Sequence, residues 1–275
     1  MRAGGNVAAR CRRLIVCPGG MSYPRTGTTG DGYRWLAALD VPIVEPVPAL
    51  VPLSSPASWV RELTGIAVQD VHVRLRDARR RLRGERRRPV LFTHHGVSGP
   101  GALDLSVHVA RACADALRSG AATPVHVLEL DLAPDEPHEA LRERFIALAG
   151  APGAPTLARA LPALPRRLVH AIARQADLES GDPRLNGLDR AARHRLVECV
   201  KSLAIPIDGT LGFDAAEVTA GGVALSSLDA GTMRVRGHEG LYACGEILDL
   251  AGPIGGLNFQ AAFATAELAA LDASR

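Results

Sequence analysis

The sequence predicts an α/β protein: a discontinuous α/β domain at the two chain ends, interrupted by a β-rich part and a helical insertion. Three observations predict it. A continuous apolar run, Leu14 to Cys17, ends at Pro18-Gly19-Gly20 near the start of the chain. A second short apolar run, Leu241 to Cys244, ends at Gly245-Glu246 near its close and leads into an Ala-rich helix. Between them the hydrophobic period is first two, then 3.6, then two again. The expected boundaries are 1–44 with 216–275 for the α/β domain, 45–133 with 204–215 for the β-rich part, and 134–203 for the helical insertion.

Each element has a local reason. Leu14 to Cys17 is β-branched at its centre and reads as a strand buried on both faces, as in a parallel sheet. A helix follows from about Asp31 to Leu39, with Thr29 or Asp31 as its cap. Pro42, Pro46, Pro48 and Pro52 mark a change of character, and the boundary is placed near Glu45. In "VQDVHVRLRD" Val71, Val73 and Leu75 share one face. With the basic turn "ARRRLRGERRR" and "PVLFTHHG", this predicts a hairpin with a charged tip. An amphipathic helix spans Leu105 to Arg118, and "PVHVLELDL" is a further strand. Residues 134–203 read as helices broken by prolines, the last with a face through Leu188, Ala192, Leu196 and Val200.

Bulk properties narrow the class. The chain has 275 residues, 47% of them hydrophobic, which excludes a disordered chain. The net charge of +3 neither requires nor excludes a nucleic-acid partner. Cys11, Cys17, Cys113, Cys199 and Cys244 are odd in number and contain no C-x-x-C pair. They predict reduced thiols in a cytoplasmic protein, with no disulfide frame and no metal centre. The arginines Arg2, Arg10, Arg12 and Arg13 precede an apolar run too short for a signal peptide, and no run is long enough to span a membrane. Lys201 is the only lysine, leaving little room for a catalytic one.

The two Gly-rich strand ends carry the functional expectation. At Gly245 no side chain blocks approach to the backbone, and Glu246 and Asp249 can accept hydrogen bonds from hydroxyls. Gly255 and Gly256 free the first turn of the last helix. Its unpaired N–H groups suit a phosphate, a carboxylate or the anionic edge of a reduced flavin; a tight turn without ligand is the other reading. Gly19 and Gly20 repeat the pattern. In open α/β sheets, ligands lie beyond the carboxyl ends of the strands.

Four blocks occur in order: "LIVCPGGMSYPRTGTTGDGYRW", "FTHHGVSGPGALDLS", "VTAGGV" and "GLYACGEILDLAGPIGGLNFQAAFATAE". Together they resemble the bacterial NAD(P)/FAD-dependent oxidoreductases of the aminoacetone-oxidase or bile-acid-reductase type, over roughly Leu14 to Ala270. That resemblance implies an FAD-binding Rossmann-like domain interrupted by a β-barrel-like part and a helical part. It implies that Gly19 and Gly20 line the FAD, that Gly245, Glu246 and Asp249 meet the ribityl chain, and that Gly255, Gly256, Asn258 and Gln260 lie beside the isoalloxazine. Pro18 stands where the family often has Thr, and Leu257 where it usually has Tyr.

A larger departure is the G-x-G-x-x-G loop with which family members begin. "GTTGDG" and "GVSGPG" have the right residues at the wrong spacing. The FAD-binding domain is therefore expected to be incomplete, its nucleotide-binding half supplied by upstream residues or a separate chain. The implied function is flavin-mediated hydride transfer, from NAD(P)H as donor to a small organic molecule or by oxidation of a substrate with O₂. The alternative is a truncated or split flavoprotein subunit without activity of its own. His94, His95 and Tyr23 are the catalytic candidates, each with an ordinary loop role as its other reading. Cys17 and Cys244 read as buried small apolar residues. The run from Arg79 to Arg88 reads as a solvated hairpin tip, so no nucleic-acid partner is expected.

Overall fold

A computed structural model describes residues 10–275; Arg2 and the rest of the first nine residues of the predicted α/β domain lie outside them. In chain order the elements begin with β1 (Leu14–Val16), α1 (Asp31–Ala37), β2 (Ile43–Ala49), β3 (Leu53–Ser54), α2 (Ser58–Glu62), β4 (Ala67–Val68) and β5 (His72–Arg76). They continue with β6 (Leu82–Arg87), β7 (Val90–Phe92), β8 (Gly96–Ser98), α3 (Pro100–Leu103), α4 (Ser106–Ser119), β9 (His126–Asp131) and α5 (His138–Gly150). The rest are α6 (Leu157–Ala160), α7 (Arg166–Gln175), α8 (Arg190–Lys201), β10 (Leu203–Ile207), β11 (Gly209–Thr210), β12 (Val218–Val223), β13 (Leu241–Ala243) and α9 (Leu257–Ala273). Two compact units result: residues up to Pro48 together with Glu217–Arg275, and Ala49–Ala216. No helix among the described residues is long and apolar enough to cross a membrane.

In the terminal unit, β1 and β13 pair in parallel, Leu14 opposite Leu241 through Val16 opposite Ala243. β2 pairs with β12. Tyr33, Leu36, Val223, Tyr242, Ile247 and Ala269 are among the side chains of its core. Two expectations are corrected here. β1 is not buried on both faces: Leu14 is 52% exposed and Cys17 is exposed. Among the described residues β1 pairs with β13 alone, and burial of both faces needs a layer on each. Nor does Thr29 or Asp31 cap α1. Gly30 holds the N-cap position at φ 76°, and Thr29 Oγ1 donates to the Asp31 carboxylate at 2.7 Å instead. The left-handed entry selects glycine over a capping side chain.

The central unit holds two antiparallel sheets, in the orders β10-β9-β5-β6 and β11-β3-β8-β7-β4. Both have free edges, so the expected barrel-like part is a pair of open sheets, and no closed barrel forms among the described residues. The predicted hairpin also changes partners. β5 pairs with β6, which the arginine-rich stretch itself builds, while β7 joins β4 and β8 in the other sheet. β6 is an edge strand with only Gly84 partly covered, so it carries no apolar alternation. Cross-strand charge supports it: Glu85 meets His72 at 3.1 Å and Arg74 at 3.5 Å.

The helices of this unit enclose Leu141, Phe145, Leu168, Ile172, Leu196 and Val200, all fully buried. Asp189 caps α8, accepting from Ala192 N at 2.7 Å. Leu188, expected on the α8 face, precedes the helix and packs against the core from there. Lys201 closes the join between α8 and β9. Its Nζ lies 2.8 Å from Asp131 Oδ2 and donates to the carbonyls of Ala133 and Glu136 at 2.7 and 2.6 Å. The only lysine of the chain is thus a structural cation.

Removing that cation leaves the buried Asp131 carboxylate unpaired. Lys201→Ala is expected to destabilise the protein by roughly 3 kcal/mol, against about 1 kcal/mol for loss of the cap in Asp189→Ala. Urea unfolding followed by circular dichroism measures both; equal losses would contradict this ranking.

Candidate cofactor-binding site

Because β1 and β13 are parallel and in register, their carboxyl ends lie side by side. Cys17-Pro18-Gly19-Gly20 and Cys244-Gly245-Glu246 therefore leave the sheet at the same end. The join is tight. A Cβ built on Gly20 would collide with Thr219 Oγ1, would lie 2.7 Å from Thr219 Cβ, and would approach Glu246 Oε1 to 3.1 Å. Glycine at position 20 is dictated by this internal packing.

Thr219, fully buried on β12, is the brace between the two strand ends. Its Oγ1 accepts from Met21 N at 2.7 Å and lies 3.1 Å from Ser22 Oγ. Its backbone N donates to Glu246 Oε1 at 2.8 Å. Thr28 Oγ1 donates to Ser22 O and so closes the loop after Gly20. Burial raises the pKa of Glu246, partly offset by the Thr219 and Gly20 N–H groups bonded to its carboxylate. Glu246, expected at a ribityl chain, is here engaged in holding the loop.

The strand β12 supplies the remaining fit. Gly221 and Gly222 have φ of 90° and 117°, and a Cβ on them would run into Glu45 O and Ile247 O respectively. Tyr33 packs over Gly222, with its Cε1 at 3.0 Å from that hypothetical Cβ. The Tyr33 hydroxyl is buried with no hydrogen-bond partner among the described residues. Burial and the nearby Glu246 charge both hold it protonated. Thr219 and Tyr33 were absent from the sequence-derived site. The Gly-Gly pair inside a strand pattern was the signal for close backbone approach at β12.

The last loop is built differently. Gly245, Gly255 and Gly256 all have positive φ, and a Cβ on any of them would meet nothing within 4 Å. These glycines are required by backbone conformation while their surfaces stay open. Asn258 holds the loop from within: its Oδ1 accepts from Gly252 N at 2.7 Å and its Nδ2 donates to Gly252 O at 2.9 Å. Thr265 Oγ1 accepts from Gly245 N at 3.0 Å, tying the β13 exit to α9. Gly256 holds the N-cap position of α9 without a side-chain cap, and Gln260 in the first turn is exposed. Asp249 is partly exposed, and its N donates to Val223 O at 2.9 Å.

The terminal unit thus gathers Gly19, Gly20, Gly245, Glu246, Asp249, Gly255, Gly256, Asn258 and Gln260. Tyr23 sits on the same loop as Gly20, half exposed, at a left-handed φ of 50°. His94 and His95 belong to the central unit, exposed in the β7–β8 turn with ring centroids 4.0 Å apart. The exposed position of Cys17 corrects its expected burial. It neighbours buried Cys244, whose thiol burial and Cys17 push up to about 11.

Open glycine surfaces, a helix N-terminus without a side-chain cap and a buried, unpaired tyrosine hydroxyl fit a flat, polar-edged group such as a flavin ring. Two outcomes test the geometry. Gly222→Ala combines a forbidden backbone region with a backbone collision and is expected to cost roughly 2–3 kcal/mol, whereas Gly245→Ala costs about 1 kcal/mol; thermal unfolding separates them. Glu246 gives a pH signature. A raised folded-state pKa means the folded chain binds this proton more tightly than the unfolded chain. The Glu246 contribution to stability therefore falls as pH rises from the ordinary glutamate value through the folded one. The stability difference between wild type and Glu246→Gln is expected to decline across that window and then level off. A flat difference would overturn the assignment.

Comparison with known proteins agrees with this architecture. The HI0933-like protein Rossmann domain family matches residues 2–272. The "Ribosomal RNA dihydrouridine synthase" of Haemophilus influenzae is 30% identical over 268 residues, covering 97% of this chain and 61% of that protein. The protein of the same name from Escherichia coli K12 is 30% identical over 270 residues, covering 95% and 60%. The "3-dehydro-bile acid delta(4,6)-reductase" of Clostridium scindens is 28% identical over 258 residues, covering 94% and 61%. The chain therefore spans about three-fifths of the length of these curated relatives. With the family matched over almost every residue, the chain belongs to the HI0933-like protein Rossmann domain family.

Proposed function

We propose that this chain forms the ring-binding part of an FAD-dependent oxidoreductase of the aminoacetone-oxidase or bile-acid-reductase type. The observation that carries the reading is that β13, beside the β1 exit, leaves the sheet at open, positive-φ Gly245, and that a second open, positive-φ pair, Gly255-Gly256, leads into α9. When bound, the flavin supplies hydride transfer between NAD(P)H and an organic acceptor. The chain's own residues shape and polarise the site. Gly245, Gly255 and Gly256 let a planar ring approach the backbone. The first N–H groups of α9 would hold the anionic edge of that ring, and Asn258 keeps their loop in place. The Thr219–Glu246 bond holds the Gly20 loop against β12, and Tyr33 Oη is the buried donor available beside it. Tyr23 is the candidate for substrate contact in this unit; His94 and His95 are candidates for proton donation.

The relatives' names support the reaction class. A dihydrouridine synthase and a delta(4,6)-reductase both add hydrogen across a carbon–carbon double bond. The acceptor of this chain is therefore read as an unsaturated, carbonyl-conjugated group, on either a small molecule or an RNA base. The coverage of the relatives supports a second element of the proposal: polypeptide beyond these 275 residues holds the nucleotide end of FAD. On its own the chain then binds the ring without turning over substrate.

Riboflavin, which has the ring and ribityl chain but no nucleotide, provides the test. Titration of riboflavin with the purified chain is expected to quench flavin fluorescence. Gly256→Val should weaken this binding at least ~10-fold, about 1.4 kcal/mol. If neither riboflavin nor FAD is quenched by the folded chain, the ring-cradle reading fails.

A further inference from the structure

We infer that the β5–β6 hairpin tip, with the facing surface of α4, is a binding site for the sugar–phosphate backbone of a folded RNA. The hairpin's arginines divide into two groups. Those of the stem have acidic partners: Arg76 with Glu129 at 2.7 Å, Arg86 and Arg88 with buried Asp104 at 3.5 and 3.2 Å, and Arg87 with Asp70 and Asp135 at 2.6 and 2.7 Å. They hold the edge strand in place. At the tip, Arg79, Arg80 and Arg81 are exposed, and among the described residues no carboxylate lies within ion-pair distance of them. Arg111, exposed on α4, is in the same position.

The tip is rigid. Asp77 Oδ1 accepts from Arg79 N at 2.9 Å and from Arg81 N at 3.0 Å, and Arg80 N donates to Asp77 O at 2.8 Å. Arg80 takes a left-handed φ of 63°. Three guanidinium groups are thereby presented from one fixed turn. Beside them is a cleft of about 470 Å³ lined by Arg79, Arg81 and Arg83, with His108 from α4 and His126 from β9. Its two acids are engaged, Asp77 by the turn N–H groups and Asp115 by Arg118. Burial, and after it the charges of Arg83, Arg111 and Arg86, hold His108 below the ordinary histidine range.

Planar guanidinium forks suit phosphate oxygens, and a concave basic surface without Phe, Tyr or Trp suits backbone contact over base stacking. The occupant is RNA because two relatives that match 97% and 95% of this chain are named for ribosomal RNA. The arginine run alone reads as a solvated tip. The division between paired stem and unpaired tip, and the cleft beside it, are visible only in the folded unit. The inference deepens the RNA arm of the proposed function but does not depend on flavin binding.

Fluorescence anisotropy with a labelled ribosomal RNA stem-loop tests it, with neither FAD nor NAD(P)H present, so its outcome is separate from the riboflavin titration. The full chain is expected to bind with affinity that falls steeply with salt. The triple variant Arg79→Gln, Arg80→Gln, Arg81→Gln should bind at least ~10-fold more weakly, with a log–log salt slope smaller by about 2–3. The triple lysine variant should keep the slope. A control variant, Arg61→Gln, Arg166→Gln, Arg190→Gln, removes the same charge from other exposed sites of this unit and should lose less. A glutamine tip variant that binds no more weakly than the control overturns the inference. So does a wild-type chain that binds anionic phosphatidylglycerol vesicles but not the RNA. Circular dichroism verifies that each variant is folded.

Discussion

The parallel pairing of β1 with β13 is the constraint on which the terminal unit depends. Three residue pairs join the beginning of the chain to its end, and the placement of both strand exits follows from that register. Parallel strands must emerge at the same edge, so two Gly-rich turns that are remote in sequence become neighbours. A register shift of one residue would turn every side chain of β1 to the opposite face and carry Gly20 away from Thr219. The C-terminal helix is fastened to the same pair. Tyr242 on β13 donates to Asp272 on α9 at 2.7 Å, and Arg13 just before β1 donates to Ala273 O at 2.8 Å.

Around that pair, the glycines fall into two physical classes. At Gly20, Gly221 and Gly222 the protein itself occupies the space a side chain would need. At Gly245, Gly255 and Gly256 the backbone demands glycine but the space beyond is open. The first class closes the fold around Thr219 and Glu246. The second leaves main-chain surface uncovered. Glycines of similar sequence context can therefore be required by packing at one place and by backbone conformation alone at another, and only the surroundings of each Cβ tell them apart.

Charge has a comparable division in the central unit. Buried Asp104 and Asp131 are matched by Arg86, Arg88 and Lys201, where an unpaired carboxylate would be costly. These pairs allow an edge strand with almost no apolar surface to persist, and edge charges discourage pairing with another strand. Arginines beyond the reach of those acids retain their full hydrogen-bonding capacity for a polyanion.

Much was legible without coordinates. Alternation in Val71, Val73 and Leu75 located β5, the 3.6-residue period located α8, and apolar runs ending in glycine located both β1 and β13. Gly19-Gly20 and Gly255-Gly256 stood out because positive φ and close approach select one residue type. Such features depend on near neighbours in sequence, so composition and spacing determine them. Tertiary structure alone decided the rest. β6 has no hydrophobic signal, because its stability comes from partners across the sheet and from distant carboxylates. Thr219 looks like any strand threonine until β12 sets it between Gly20 and Glu246. The bond from Thr219 N to a Glu246 oxygen is likewise invisible in the sequence, because β12 and the β13 exit are far apart along the chain. Whether a residue binds or braces is decided by atoms far along the chain, and only folding brings those atoms within a hydrogen bond's reach.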